Sequence, residues 1–140
     1  MCLQITEKTL SRIVNCSTKN DVETGGLIGS SDGKTIDNYI FDEGQRSSMI
    51  EYVPNIDLFN TVLAKWQKDS ISFLGIIHSH IADSVLSNKD IQMARKIICC
   101  NESIESLLMP LVTMKDRTIS WYKVDFECVE QIDVRMLRVI

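Results

Sequence analysis

The chain has 140 residues, 24% of them charged and 44% hydrophobic, so residues 1–140 are expected to form a single folded domain. Fifteen Lys and Arg stand against 19 Asp and Glu, a net charge of −4, which leaves no broad basic surface for a phosphate backbone and argues against a nucleic-acid partner. The apolar run Phe73 to Ile77 is far short of the roughly 20 residues that span a bilayer, so no membrane helix and no membrane partner are expected.

The first residues, Met1 to Glu7, carry neither a basic stretch nor a long apolar one, so no secretory leader is expected and the chain reads as cytoplasmic. Thr6 caps a predicted helix over 6–17, with Leu10, Ile13 and Val14 on one stripe. From Glu23 two β-prone runs flank Ser31-Asp32-Gly33, a turn sequence that predicts a hairpin. The stretch from Asp42 to Pro54 is polar and then extended, the one segment long enough to serve as a flexible flank. Asn55 then caps an amphipathic helix with Ile56, Phe59, Leu63 and Trp66 on its apolar side.

Ser72 to Ile77 predicts a short apolar strand that runs into His78-Ser79-His80. After a loop from Ile81 to Leu86, Ser87 opens a helix whose Ile91, Ala94 and Ile98 form a buried stripe. Strands are predicted near Leu107 to Met114 and Thr118 to Val124, the first placed at an edge or a bulge by Pro110. Cys128 to Ile140 fits either a strand or a short helix. Five cysteines, Cys2, Cys16, Cys99, Cys100 and Cys128, form an odd set without C-x-x-C spacing, so reduced and mostly buried thiols are expected. Alternating helices and strands without repeats or linkers predict an α/β fold.

Residues two apart on a strand share a face, so His78 and His80 can bring both imidazoles to one point. Neutral imidazole is a common zinc ligand, and a catalytic zinc takes three protein ligands with the fourth position left for water. Asp90, in the first turn of the following helix, is the natural third. Ser87 and Asp90 also match a capping box, a role that can coexist with ligation because a helix N-terminus favours negative charge. Hydrolytic zinc chemistry further needs a non-ligand carboxylate as general base, and Glu23, ahead of Gly25-Gly26, supplies one; the same residue could instead be an exposed acid beside a bulge.

Glu23 before Gly25-Gly26-Leu27-Ile28-Gly29, then Gly75-Ile76-Ile77-His78-Ser79-His80, then Ser87-x-x-Asp90, resembles the JAMM metalloprotease signature of the JAB/MPN domain family. The resemblance implies that family's α+β fold, a curved mixed β-sheet flanked by helices and related to cytidine deaminases, over nearly the whole chain. It implies Zn2+ held by His78, His80 and Asp90, with Glu23 as general acid and base. Ser87 is implied as a hydrogen-bond donor to the developing oxyanion, a contribution of about 3 kcal/mol in comparable holes.

This chain has Ile81 where the family usually has Pro, and its loop to Ser87 is one residue shorter, which makes Asp83 the alternative carboxylate. The implied reaction is hydrolysis after the Gly-Gly tail of a ubiquitin-like or sulfur-carrier protein, as in compact prokaryotic-type members. The alternative is a catalytically silent MPN scaffold that binds a protein partner without zinc. A nucleobase deaminase is excluded by the missing His-x-Glu and Pro-Cys-x-x-Cys pieces. The oligomeric state is not legible.

Overall fold

The computed structural model describes residues 3–45 and 51–140. β1 (Leu3–Ile5) leads into α1 (Glu7–Ser17), which starts where Thr6 accepts from the Thr9 N–H through its side-chain oxygen. β2 (Gly25–Ser30), β3 (Thr35–Ile36) and β4 (Asn38–Asp42) follow. β2 and β4 make the predicted antiparallel hairpin around Gly33, whose φ of +80° suits a residue without Cβ. β3 departs from it and pairs in parallel with β1.

α2 (Ile56–Lys68) is capped by Asn55 and buries Phe59 and Trp66. Ile56, expected on that buried stripe, is 54% exposed, because the first turn stands outside the packed interface and burial begins at Phe59. β5 (Ser72–His80) continues through both histidines instead of stopping before them. α3 (Asn88–Cys99) starts at Ser87 and buries Ala94 and Ile98, with Ile91 half-buried.

β6 (Leu107–Leu108), β7 (Leu111–Thr113), β8 (Thr118–Val124) and β9 (Val129–Ile132) complete the larger sheet. The C-terminal stretch resolves into both of its alternatives: after β9 come a 3-10 turn (Val134–Met136) and β10 (Leu137–Val139).

The larger sheet is curved and mixed, with β4-β2-β5 on one side and β8-β9 on the other. β6 and β7 share the place between β5 and β8, parallel to β5 and antiparallel to β8. Pro110 therefore breaks an interior strand position and does not mark an edge. The break is tolerated because its neighbours keep bonding: the His78 N–H donates to the Pro110 carbonyl (3.1 Å) and the Met109 N–H to the Tyr122 carbonyl (2.7 Å). A second, three-stranded sheet has the order β10-β1-β3.

The sheet carries a core on each face. One joins Leu27, Ile76 and Leu111 to Phe59 and Trp66 of α2 and Ala94 and Ile98 of α3. The other joins Ile28, Ile77 and Val112 to Ile13 of α1 and to Leu3 and Ile5 of β1. Ile76 lies on the α2–α3 face, and two-residue periodicity beyond it sends His78 and His80 to that same face.

Cys16 is half-buried and Cys99, Cys100 and Cys128 are exposed, all as free thiols, which corrects the expectation of mostly buried ones. Cys99 and Cys100 lie past Ile98, the last buried residue of α3, and Cys128 lies in the turn before β9. Cys2 lies outside the described residues, as do residues 46–50 of the expected flexible flank. The described parts of that flank are tied down: the Gln45 N–H donates to the Val53 carbonyl (2.8 Å), and Asp42 accepts from the Gly44 N–H (2.8 Å), the Asn55 N–H (2.9 Å) and the Tyr52 hydroxyl (2.5 Å). Among the described residues no helix is long and apolar enough to cross a membrane.

Candidate metal centre

The end of β5 and the start of α3 meet at one cleft of about 380 Å³, lined by Glu23, Tyr52, His78, His80, Ser87 and Asp90 among others. Two kinds of local structure deliver these groups. β5 lies between β2 and β7, with His78 opposite Gly25 on one side and Leu111 on the other, so its backbone is fixed from both flanks. α3 begins with a complete capping box: Ser87 Oγ accepts from the Asp90 N–H (3.1 Å), and Asp90 Oδ2 accepts from the Ser87 N–H (3.0 Å). The box that suggested a purely structural Asp90 also aims its carboxylate at β5.

His78 Nδ1 lies 2.8 Å from Asp90 Oδ1, and His80 Nε2 lies 3.2 Å from Asp90 Oδ2. His78 is 4% exposed, and its Nε2 has no hydrogen-bond partner among the described residues. Burial pushes the Asp90 carboxyl up, but the hydrogen bonds from His78 and then His80 outweigh it and hold the group well below the usual carboxylate range. The hydrogen bond to Asp90 raises His80 above an ordinary histidine, against the opposing effect of burial.

Glu23, two residues before β2, lines the same cleft. Burial pushes its carboxyl above the ordinary value, the His80 charge opposes this, and the Tyr52 backbone N–H donates to it. A carboxylate in a cleft whose proton affinity is raised by burial is suited to taking and returning a proton.

The structure thus brings together all five predicted residues. The shorter loop does not displace Asp90. Asp83, the alternative carboxylate, instead accepts from the Val85 N–H (2.9 Å) in an exposed turn.

Two other residues shape the site without standing out in the sequence. Ser79 is fully buried on the opposite face from the imidazoles, where its Oγ accepts from the Thr24 N–H (2.8 Å) and donates to the Thr24 carbonyl (3.3 Å). It fastens the chain directly beside Glu23, across 55 residues of sequence. Tyr52 meets His78 edge to face, with ring centroids 5.1 Å apart. Of these, the buried serine inside His-x-His carried a weak signal, since a polar side chain inside an apolar strand needs a partner; Tyr52 carried none.

Two imidazoles and a carboxylate are a donor set that zinc takes, and the unpartnered Nε2 of buried His78 is a ligand atom without another use. Among the described residues, however, no group of three His, Cys, Asp or Glu side chains could hold a metal ion as they stand. The Asp90 oxygens are engaged by the two rings, so binding a metal requires these hydrogen bonds to give way, as ligation replaces protons in general.

No protein-family model matches the chain, and no curated protein matches it. Solved structures do. Protein DSY2949 from Desulfitobacterium hafniense superposes with a TM-score of 0.73 at 16% identity, covering 99% of this chain and 92% of that one. AF2198, a JAB1/MPN domain protein from Archaeoglobus fulgidus, gives 0.58 at 14% identity, over 99% and 96%. A protein described for JAMM, a metalloprotease-like zinc site in the proteasome and signalosome, gives 0.56 at 13% identity, over 100% and 99%. At these identities the likeness is one of fold: the chain has the mixed α/β fold of JAB1/MPN domains, and its structural neighbours include a JAMM metalloprotease-like domain.

Proposed function

We propose that this chain is a JAMM-type zinc hydrolase that cleaves a peptide or isopeptide bond after the Gly-Gly tail of a ubiquitin-like or sulfur-carrier protein in the cytoplasm. The observation that carries the reading is the convergence of both β5 imidazoles on the Asp90 carboxylate in the cleft that also holds Glu23. His78, His80 and Asp90 would hold the zinc. When bound, zinc supplies Lewis acidity, polarising a carbonyl and making water acidic enough to react near neutral pH.

The chain's own groups supply the proton traffic. Glu23 takes a proton from the attacking water as the new C–O bond forms at the carbonyl carbon. As the C–N bond breaks, it gives that proton to the departing amine. Its raised proton affinity suits both halves of the exchange. The Ser87 oxygen accepts from the Asp90 N–H, which leaves its O–H free to donate to the oxyanion.

The test is cleavage of a ubiquitin-like domain joined through its Gly-Gly terminus to a reporter amine. Wild type is expected to release the reporter, to stop when a chelator is added, and to recover with zinc. Glu23→Gln is expected to bind zinc and fail to cleave; cleavage at the wild-type rate by Glu23→Gln would remove Glu23 from the mechanism. A second reading, a silent scaffold of the same fold, is favoured by the engagement of Asp90 with the two rings. It predicts that wild type neither takes up zinc nor cleaves.

A further inference from the structure

Asp42, Gly25 and His78 form a row across three adjacent strands. Gly25 is the register partner of Asp42 on one side and of His78 on the other. Directly opposed residues in antiparallel pairs share a face, so Asp42 and Gly25 lie on the same face of the sheet as His78. Tyr52 lies along this row. Its hydroxyl donates to the buried Asp42 carboxylate (2.5 Å), and its ring meets the His78 imidazole edge to face. The middle of the row is open only because residue 25 is glycine: a Cβ there would collide with the Tyr52 ring and stand 2.6 Å from the Ile77 carbonyl oxygen. The backbone N–H of the same tyrosine donates to Glu23.

We infer that Tyr52 is a positioning residue, which presses His78 into its working orientation through the ring and holds Glu23 through the backbone, with Asp42 as its anchor. This rests on the zinc-hydrolase reading for its catalytic consequence, but the mechanical part belongs to the fold. One residue thus links the proposed base, through its backbone, to a proposed ligand, through its ring. Neither is left to the short reach of its own backbone. Groups that orient a metal-binding histidine act at this remove, and losing them typically costs 10- to 100-fold in metal affinity or activity.

The test compares Tyr52→Phe, which keeps the ring and loses the anchor bond, with Tyr52→Leu, which fills part of the slot without an aromatic edge. Thermal unfolding identifies the folded variants. In zinc competition against a chromogenic chelator, Tyr52→Leu is expected to bind about 10- to 100-fold more weakly than wild type. Tyr52→Phe is expected to fall within about threefold of it, as a conservative rescue. In turnover, kcat is expected to fall in Tyr52→Leu with KM unchanged, because Tyr52 acts on reacting groups and not on substrate uptake.

A second readout needs no metal. The chain has only two histidines, so their imidazole N–H signals are readily distinguished by NMR. In metal-free protein the His78 N–H that donates to Asp90 is expected to resist solvent exchange in wild type and Tyr52→Phe, and to exchange rapidly in Tyr52→Leu. Unchanged protection in folded Tyr52→Leu overturns the inference, whether or not the protein binds zinc. A wild type that takes up no zinc would defeat the hydrolase reading instead, and the exchange result would still decide the role of Tyr52.

Discussion

The two halves of the cleft are built on opposite principles. On the β5 side, His78 and Ser79 sit in the interior of a sheet, bonded through the backbone to β2 and to the β6–β7 position, and Ser79 is sealed from water. On the α3 side, Asp90 and Ser87 sit at an exposed helix start, held by a two-bond capping box and by the rings that Asp90 faces. The sheet half is fixed by long-range pairing that opens only with much of the fold; the helix half is fixed locally, by bonds that one turn can exchange. On the proposed zinc-hydrolase reading, the imidazoles lie on the rigid half and the carboxylate on the half that can adjust as a metal enters.

This difference gives ordered expectations. Ser79→Ala strands the buried Thr24 N–H and is expected to cost about 2 kcal/mol in urea unfolding, with activity reduced through the displaced Glu23. Ser87→Ala removes an exposed N-cap and is expected to cost about 1 kcal/mol. Equal losses in the two variants would erase the distinction between the halves.

The smallest effect lies far from the cleft, at the β2–β4 hairpin turn. There the Lys34 N–H, then the Thr35 N–H and the Ser30 hydroxyl, lower the Asp32 carboxyl to about 2. A folded-state value below the ordinary one means that this contribution is complete above about pH 4 and is lost as pH falls toward 2. Denaturation midpoints across that window are expected to depend less steeply on pH in Asp32→Asn, with zinc uptake near neutral pH unchanged; an equally steep dependence would show that the turn does not hold Asp32.

What was legible in the sequence follows the same division between local and distant bonds. Thr6, Asn55 and Ser87 announce three helix starts because a cap acts within three residues of itself. His78 and His80 announce their shared face because strand periodicity is local too. Pro110 reads as an edge or a bulge from its own chemistry; the chain instead breaks and resumes the same interior sheet position one residue later, supported by partners on β5 and β8 that local pattern cannot reveal. The parallel pairing of β10 with β1 spans almost the entire chain and was equally invisible. Ile56 and the exposed cysteines went astray for a related reason: periodicity gives a face but not where packing ends along it. Tyr52 belongs to the distant class, since its partners Asp42, Gly25 and His78 stand on three different strands.

On the proposed reading, Asp90 completes a zinc site with the two β5 histidines. Zinc content of purified, untagged protein tests it most directly, with Asp90→Ala and Asp83→Ala prepared alongside. About one zinc per chain is expected in wild type and in Asp83→Ala, and none retained in Asp90→Ala. No zinc in wild type after incubation with the metal, or the same content with and without the Asp90 carboxylate, would contradict it.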